Sequence, residues 1–247
     1  ELQAPVIVAF LVACVAAMLC GAFNGVLVSK FNIQPMIATL ILFTAGRSIA
    51  AWINNNELPV ISEESFGIYG GFIPGIPIPT PVFIMLVCVL LTALALKYTN
   101  LGLYTQAVGI NASSSRLNGL NPAFIKFISF VILGLCVAVV GLIKVSRLSS
   151  INYSVIAKDI EMDAILAVAL GGNSLSGGKF NMTASILGAY VIQFLTTTLY
   201  KFNVESAALS AYKAVVVIAL VVFSAPEVRK KLAGLTKKFK PQAKEAV

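Results

Sequence analysis

Histidine is absent from this 247-residue sequence, and charged residues make up only 11% of it. Without histidine the chain lacks the commonest general base, proton carrier and neutral metal ligand, so hydrolytic or metal-assisted chemistry is not expected. Cysteine is scarce and scattered. Cys14, Cys20, Cys88 and Cys136 all lie inside apolar runs, with no paired short spacing to close a metal site, and read as small packing residues. The expectation is a chain with no catalytic, cofactor-binding or metal-binding residues, and no enzyme activity of its own. An initiator methionine and a charged leader with a cleavage site are also missing, so Glu1-Leu-Gln-Ala is not read as a signal peptide. The first residues are expected to be the interior of a longer protein.

What is present is apolar surface. Hydrophobic residues reach 58%, the mean hydropathy is +0.92, and a soluble domain would carry roughly a quarter charged residues. The fold class expected is all-α, a polytopic transmembrane helical bundle. Its length allows about six or seven crossings at ~20 residues each. Residues 1–228 are expected to form a single transmembrane domain, followed by a basic tail over 229–247.

Apolar runs cover residues 4–28, 33–53, 80–97, 123–145 and 206–224, with an interrupted stretch from 160 to 200 between the last two. Ser29-Lys30-Phe31-Asn32 is too short for anything but a helical hairpin. Residues 54–79, rich in Gly, Pro and Asn and carrying Glu57, Glu63 and Glu64, read as an exposed aqueous loop. The proline-rich run from Pro74 to Pro81 is expected to be extended.

Lys and Arg concentrate on the cytoplasmic side of membrane proteins. Placing the C-terminus inside gathers Lys30, Lys97, Arg116, Lys126 and the basic residues between Arg229 and Lys244 on one face, against Lys144, Arg147, Lys158 and Lys201 on the other. The tail reads as an anchor held near anionic membrane lipid. Nucleic-acid binding is not expected, because no stacking aromatics are interleaved beyond Phe239.

Two segments carry more than span information. In the loop over 98–122, Asn111 is a plausible N-cap for a short helix over 112–118, Gly119 suits its C-cap, and Pro122 starts the next span. That helix would either present Arg116 and Leu117 to a partner or be a solvated turn. The second segment runs from Glu161 to Phe180: an apolar stretch too short to cross, broken by Gly171-Gly172 and Gly177-Gly178 around Asn173, Ser174 and Ser176. It is compatible with a broken or re-entrant helix pair, whose non-helical backbone must be satisfied by protein or water, and with two ordinary helices joined by a glycine turn. Gly172 to Lys179 is not a phosphate-binding loop, since aligning Gly178-Lys179 puts Asn173 at the first glycine and Phe180 at the Ser/Thr position.

Asp159 and Asp163 share one helical face at the start of this segment. Asp163, the deeper of the two, serves either a functional polar site or the helix dipole. Arg47 has the same two readings: a long stem reaching outward, or a place in a polar cavity.

Taken together and in this order, these segments resemble permease subunits of sugar ABC importers, the ribose/galactose/xylose branch. Gly109-Ile-Asn111-Ala-Ser-Ser-Ser-Arg116-Leu117-Asn-Gly119-Leu-Asn121 resembles the family's cytoplasmic pattern G-x-N-x-x-A-A-R-L-S-G-I-N. The stretch from Glu161 resembles E-L-D-A-I-A-A-V-V-L-G-G-T-S-L-S-G-G. Phe31 to Leu40 with Arg47 resembles a third stretch, K-x-x-I-P-P-F-I-A-T-L followed by R-G. Ser114-Ser115 and Asn118 depart from the first pattern in a way that is similar to permeases assigned to galactofuranose uptake, and Ser48 replaces the glycine after Arg47. The family's N-terminal part is not in this sequence. The resemblance implies a bacterial inner-membrane protein that pairs with a second permease copy or a homologous permease. It also implies a cytoplasmic ABC ATPase docked at the 109–121 loop and a periplasmic sugar-binding protein. Asp163, Gly171, Gly172, Asn173, Ser174, Ser176, Gly177 and Gly178 would then form the translocation path or gate. The main rival reading is an ion-coupled secondary transporter of a small polar solute, since broken helices also coordinate ions, and a second is a passive channel or membrane scaffold.

Overall fold

The computed structural model describes residues 6–61, 64–73, 75–153, 155–174, 177–178, 180–204, 208 and 211–215. Most of the last apolar run, all of the basic tail, and Ser176 lie outside the described residues. The chain forms two compact units, Glu1–Lys158 and Asp159–Val247. The first holds α1 (Val6–Ser29), α2 (Pro35–Ile53), α3 (Glu64–Gly67), α4 (Thr80–Tyr98), α5 (Leu101–Ile110), α6 (Ala112–Leu117) and α7 (Pro122–Leu148); the second holds α8 (Ile160–Leu170) and α9 (Met182–Lys201). Among the described residues the only β structure is two isolated bridges, Val60 with Ser150 and Phe72 with Pro79.

Five of these helices, α1, α2, α4, α7 and α9, are long and apolar enough to cross a membrane. Few apolar side chains are buried, Cys14, Val28, Ile125 and Ala138 among them, while Leu11, Leu19, Leu90 and Phe194 stand on the outside. In hydrocarbon these exposed faces are at home. Helices in lipid associate by close packing and not by hiding apolar surface, which places the weight on small residues.

The contact between α1 and α7 shows this. Gly21 and Gly25 lie one turn apart on α1, and a Cβ on Gly21 would strike the carbonyl oxygen of Phe130, while one on Gly25 would sit 3.0 Å from Phe127 Cδ2. In return, a Cβ on Gly134 of α7 would strike the carbonyl of Ala17. The pairing of 25 with 127, 21 with 130 and 17 with 134 makes the two helices antiparallel. Asn24, buried on the same helix, has an Oδ1 with no hydrogen-bond partner.

The α1–α2 hairpin forms as the spacing predicts. Asn32 takes a left-handed turn at φ 52° and Pro35 opens α2, whose first orphan N–H it removes. Residues 54–79 are less free than an aqueous loop. Gly70 N–H donates to Ser146 Oγ at 2.7 Å, Ile61 N–H to the Ser149 carbonyl at 2.8 Å, and Ile151 N–H to the Pro59 carbonyl at 3.1 Å, which folds the loop onto the C-terminal end of α7. The proline-rich run is extended only in part. Gly75 reverses the chain at φ 88°, Pro79 is extended, and Thr80-Pro81 already belongs to α4. The 98–122 segment also departs from the expected loop, because Leu101–Ile110 is helical.

Candidate functional site

The segment from Gly109 to Asn121 folds as a capped knuckle in the first unit. Asn111 leaves the helical region at φ −155°, and its Oδ1 accepts from Ser114 N–H at 2.9 Å, so it is the N-cap of α6. Ser115 is buried and donates through Oγ to the Asn111 carbonyl at 2.8 Å. Asn118 Nδ2 donates to the Ser114 carbonyl at 2.9 Å, and Gly119, at φ 80°, closes the turn with its N–H on the Arg116 carbonyl at 3.1 Å. Asn121 then caps α7 by accepting from Phe124 N–H at 3.2 Å. Gly109, in the last turn of α5, is exposed. The outcome is a six-residue helix resting on α5 and α7 that presents Arg116 and Leu117 outward, with Leu117 91% exposed.

Arg47 neither simply reaches for water nor lines a polar cavity by itself. Its guanidinium donates to the backbone carbonyls of Tyr153 and, at 3.4 Å, of Ile156, and it lies 4.7 Å over the Phe43 ring. Those carbonyls belong to irregular chain, where Ala157 sits at φ 54°. A planar fork satisfying two groups of such backbone is a use that arginine fills and lysine does not.

In the second unit α8 has 11 residues, roughly 16 Å, about half of a bilayer's hydrocarbon, while α9 has 20 and is of spanning length. The pair is therefore unequal: one short helix turning back into one long one. Gly171 is the C-cap of α8, and Gly172 follows at φ 75°, a conformation that suits glycine. A Cβ on Gly171 would be 2.6 Å from the Ala184 carbonyl oxygen, and one on Gly188 would strike the carbonyl of Ala167. Small residues thus let α8 and α9 touch backbone to backbone.

Asn173 closes the turn between them. Its Oδ1 accepts from Asn181 N–H at 2.6 Å, and its Nδ2 donates to Ser185 Oγ at 2.8 Å and to the Asn181 carbonyl at 3.3 Å. Asn181 in turn caps α9 by accepting from Ala184 N–H at 3.3 Å. Ser174 and Gly177 are exposed in the loop so enclosed, and Gly177 and Gly178 lie at φ 97° and 108°. Asp163, in the first turn of α8, meets Lys213: Nζ is 2.8 Å from Oδ2 and 3.1 Å from Oδ1. The sequence offered one signal for this partner, a lone ammonium in an apolar run. Among the described residues no group of three His, Cys, Asp or Glu comes together as a metal site.

Residues 1–225 match the family described as branched-chain amino acid transport system / permease component. The chain is 36% identical to the fructose import permease protein of Bifidobacterium longum, an alignment spanning 95% of this chain and 67% of that protein. It is 35% identical to the galactofuranose transporter permease protein of Escherichia coli, over 83% of this chain and 60% of the relative. With the ribose import permease protein of Escherichia coli it shares 37% identity, over 90% of this chain and 69% of the relative. The chain thus spans about two thirds of the length of these relatives. No solved structure matches it. Five span-length apolar helices and a family match over nearly the whole length make this chain a multi-pass membrane protein of the permease-component family, one whose relatives are sugar import permeases.

Proposed function

We propose that this chain forms the membrane pathway for a monosaccharide in an ATP-binding cassette importer of the bacterial inner membrane. A separate cytoplasmic ATPase would drive it, a periplasmic binding protein would feed it, and a second permease would complete the pathway. Residues 1–228 would act as one membrane domain, with the C-terminal tail on the cytoplasmic side. The observation that carries the reading is α6. A leucine left 91% exposed on a rigidly capped helix, beside an exposed Arg116, fits a knuckle received by a partner. Gly109, Asn111, Gly119 and Asn121 would hold that knuckle in shape, and nucleotide-driven movement of the ATPase would act through it.

The broken pair α8–α9 would line or gate the path, with Gly171, Gly172, Gly177 and Gly178 shaping the loop, Ser174 and Ser176 offering hydroxyls, and Asn173 holding the loop closed. Identities of 36, 35 and 37% to fructose, galactofuranose and ribose permeases do not single out a sugar. Ion-coupled transport is the weaker reading, because the Asp163 carboxylate that could coordinate a cation faces an ammonium instead.

Reconstitution of the full transporter tests this. Uptake of ribose, fructose or galactofuranose should require the ATPase and consume ATP, and Arg116→Glu should abolish co-purification of the ATPase while leaving membrane insertion intact. Uptake driven by an ion gradient with no ATPase present would refute the proposal.

A further inference from the structure

The depth of the Asp163–Lys213 pair follows from the register of α8 on α9. Ala167 lies against Gly188, and Gly171 against Ala184, so each turn back along α8 advances one turn along α9. One more turn puts Asp163 level with Ile192, which joins Ala167, Leu166 and Leu170 in one apolar cluster. Ile192 stands at the middle of the 20-residue α9. If α9 crosses the bilayer, the pair lies near mid-hydrocarbon.

An ionised group at that depth is costly unless an opposite charge meets it, and losing one partner strands the other. Lys213 is only 14% exposed and Asp163 33%. Both oxygens of the carboxylate receive the ammonium, so the geometry is that of a fixed pair and not a passing surface contact. The helix dipole would favour Asp163 in a first turn, but it offers no reason for a lysine in the apolar run that follows α9.

We propose that Lys213 is a positioning residue for the broken helix. Its ammonium ties the first turn of α8 to the helical residues 211–215, and this tether, at one end of α8, works with the Gly171–Gly188 contact at the other to hold Gly172, Asn173 and Ser174 in place. The inference rests on the reading of α8–α9 as path or gate.

The test is a double-mutant cycle in the full transporter, in membranes, with cysteines removed and Ser174→Cys as the probe. The readout is the rate of reaction with a membrane-impermeant maleimide. Asp163→Asn and Lys213→Gln are each expected to change that rate at least tenfold. Asp163→Asn/Lys213→Gln and the exchange Asp163→Lys/Lys213→Asp should both return to within about threefold of the parent. Should a single variant fail to accumulate, accumulation of the exchanged pair supports the tether, and equal failure of the exchange overturns it. Unchanged labelling in the single variants, or a double-variant effect equal to the product of the singles, also overturns it. Labelling needs neither substrate nor ATPase, so its failure speaks to the pair, whereas ATP-independent uptake speaks to the proposed function.

Discussion

Ser146 Oγ stands between two backbone groups of the 54–79 loop, accepting from Gly70 N–H at 2.7 Å and donating to the Phe66 carbonyl at 2.5 Å. The serine is 3% exposed, so water cannot take over either bond. Ser146→Ala leaves both groups unpaired, at a cost of about 1–3 kcal/mol for each group that stays buried. Thermal unfolding in detergent should show a lower midpoint for Ser146→Ala and a smaller drop for Ser146→Thr, which keeps the hydroxyl. Equal midpoints for alanine and wild type would show that the loop is held by other means.

The α1–α7 contact separates glycines that matter from one that does not. Gly21→Ala and Gly134→Ala place a methyl against a backbone carbonyl, whereas a Cβ on Gly141, on the same α7, meets nothing within 4 Å. Gly141→Ala is expected to be neutral or stabilising by up to ~1 kcal/mol through helix propensity. The other two should lower the unfolding midpoint, and the order of the three variants is the check.

Asn173 uses both ends of its amide, which limits what can replace it. Asn173→Leu should open the turn, speed proteolysis between residues 174 and 180, and reduce uptake at least tenfold. Asn173→Thr keeps one donor and one acceptor and should fall between leucine and wild type. A leucine variant with wild-type proteolysis would remove the clip from the account.

Arg47 satisfies two carbonyls at once. Arg47→Lys retains the charge but reaches as a single point, and Arg47→Met retains only the stem. Limited proteolysis over 150–158 should rise from wild type through lysine to methionine. If lysine behaves as wild type, charge alone is sufficient there.

Local chemistry is visible in the sequence and long-range packing is not. Asn111, Gly119 and Pro122 announced α6 and the start of α7, because caps and prolines act locally and leave their mark at fixed offsets. The apolar runs that became α1, α2, α4 and α7 are legible for a similar reason, since length and hydropathy mark them, while most of the run at 206–224 lies outside the described residues. α5 leaves no such mark: Gly102, Thr105 and Gly109 are weak helix formers within ten residues, and contacts with α4, α6 and α7 supply the support that propensity lacks. The sequence shows Lys213 only as a lone ammonium in an apolar run, and its pairing with Asp163, 50 residues away, is supplied by the fold alone. The inequality of α8 and α9 is invisible to charge counting, which sees only on which side a chain ends.

That inequality sets an order of events during synthesis. An 11-residue helix with Glu161 and Asp163 in its first turn is too short and too acidic to partition into lipid alone. The glycine face that would shelter it is supplied by Gly188, a full helix later in the chain. Membrane integration of α8 is therefore expected only once the ribosome has delivered both α9 and Lys213. In a chain released after residue 172, a cysteine placed in α8 should react with a membrane-impermeant maleimide, and in one that extends beyond residue 215 it should be shielded.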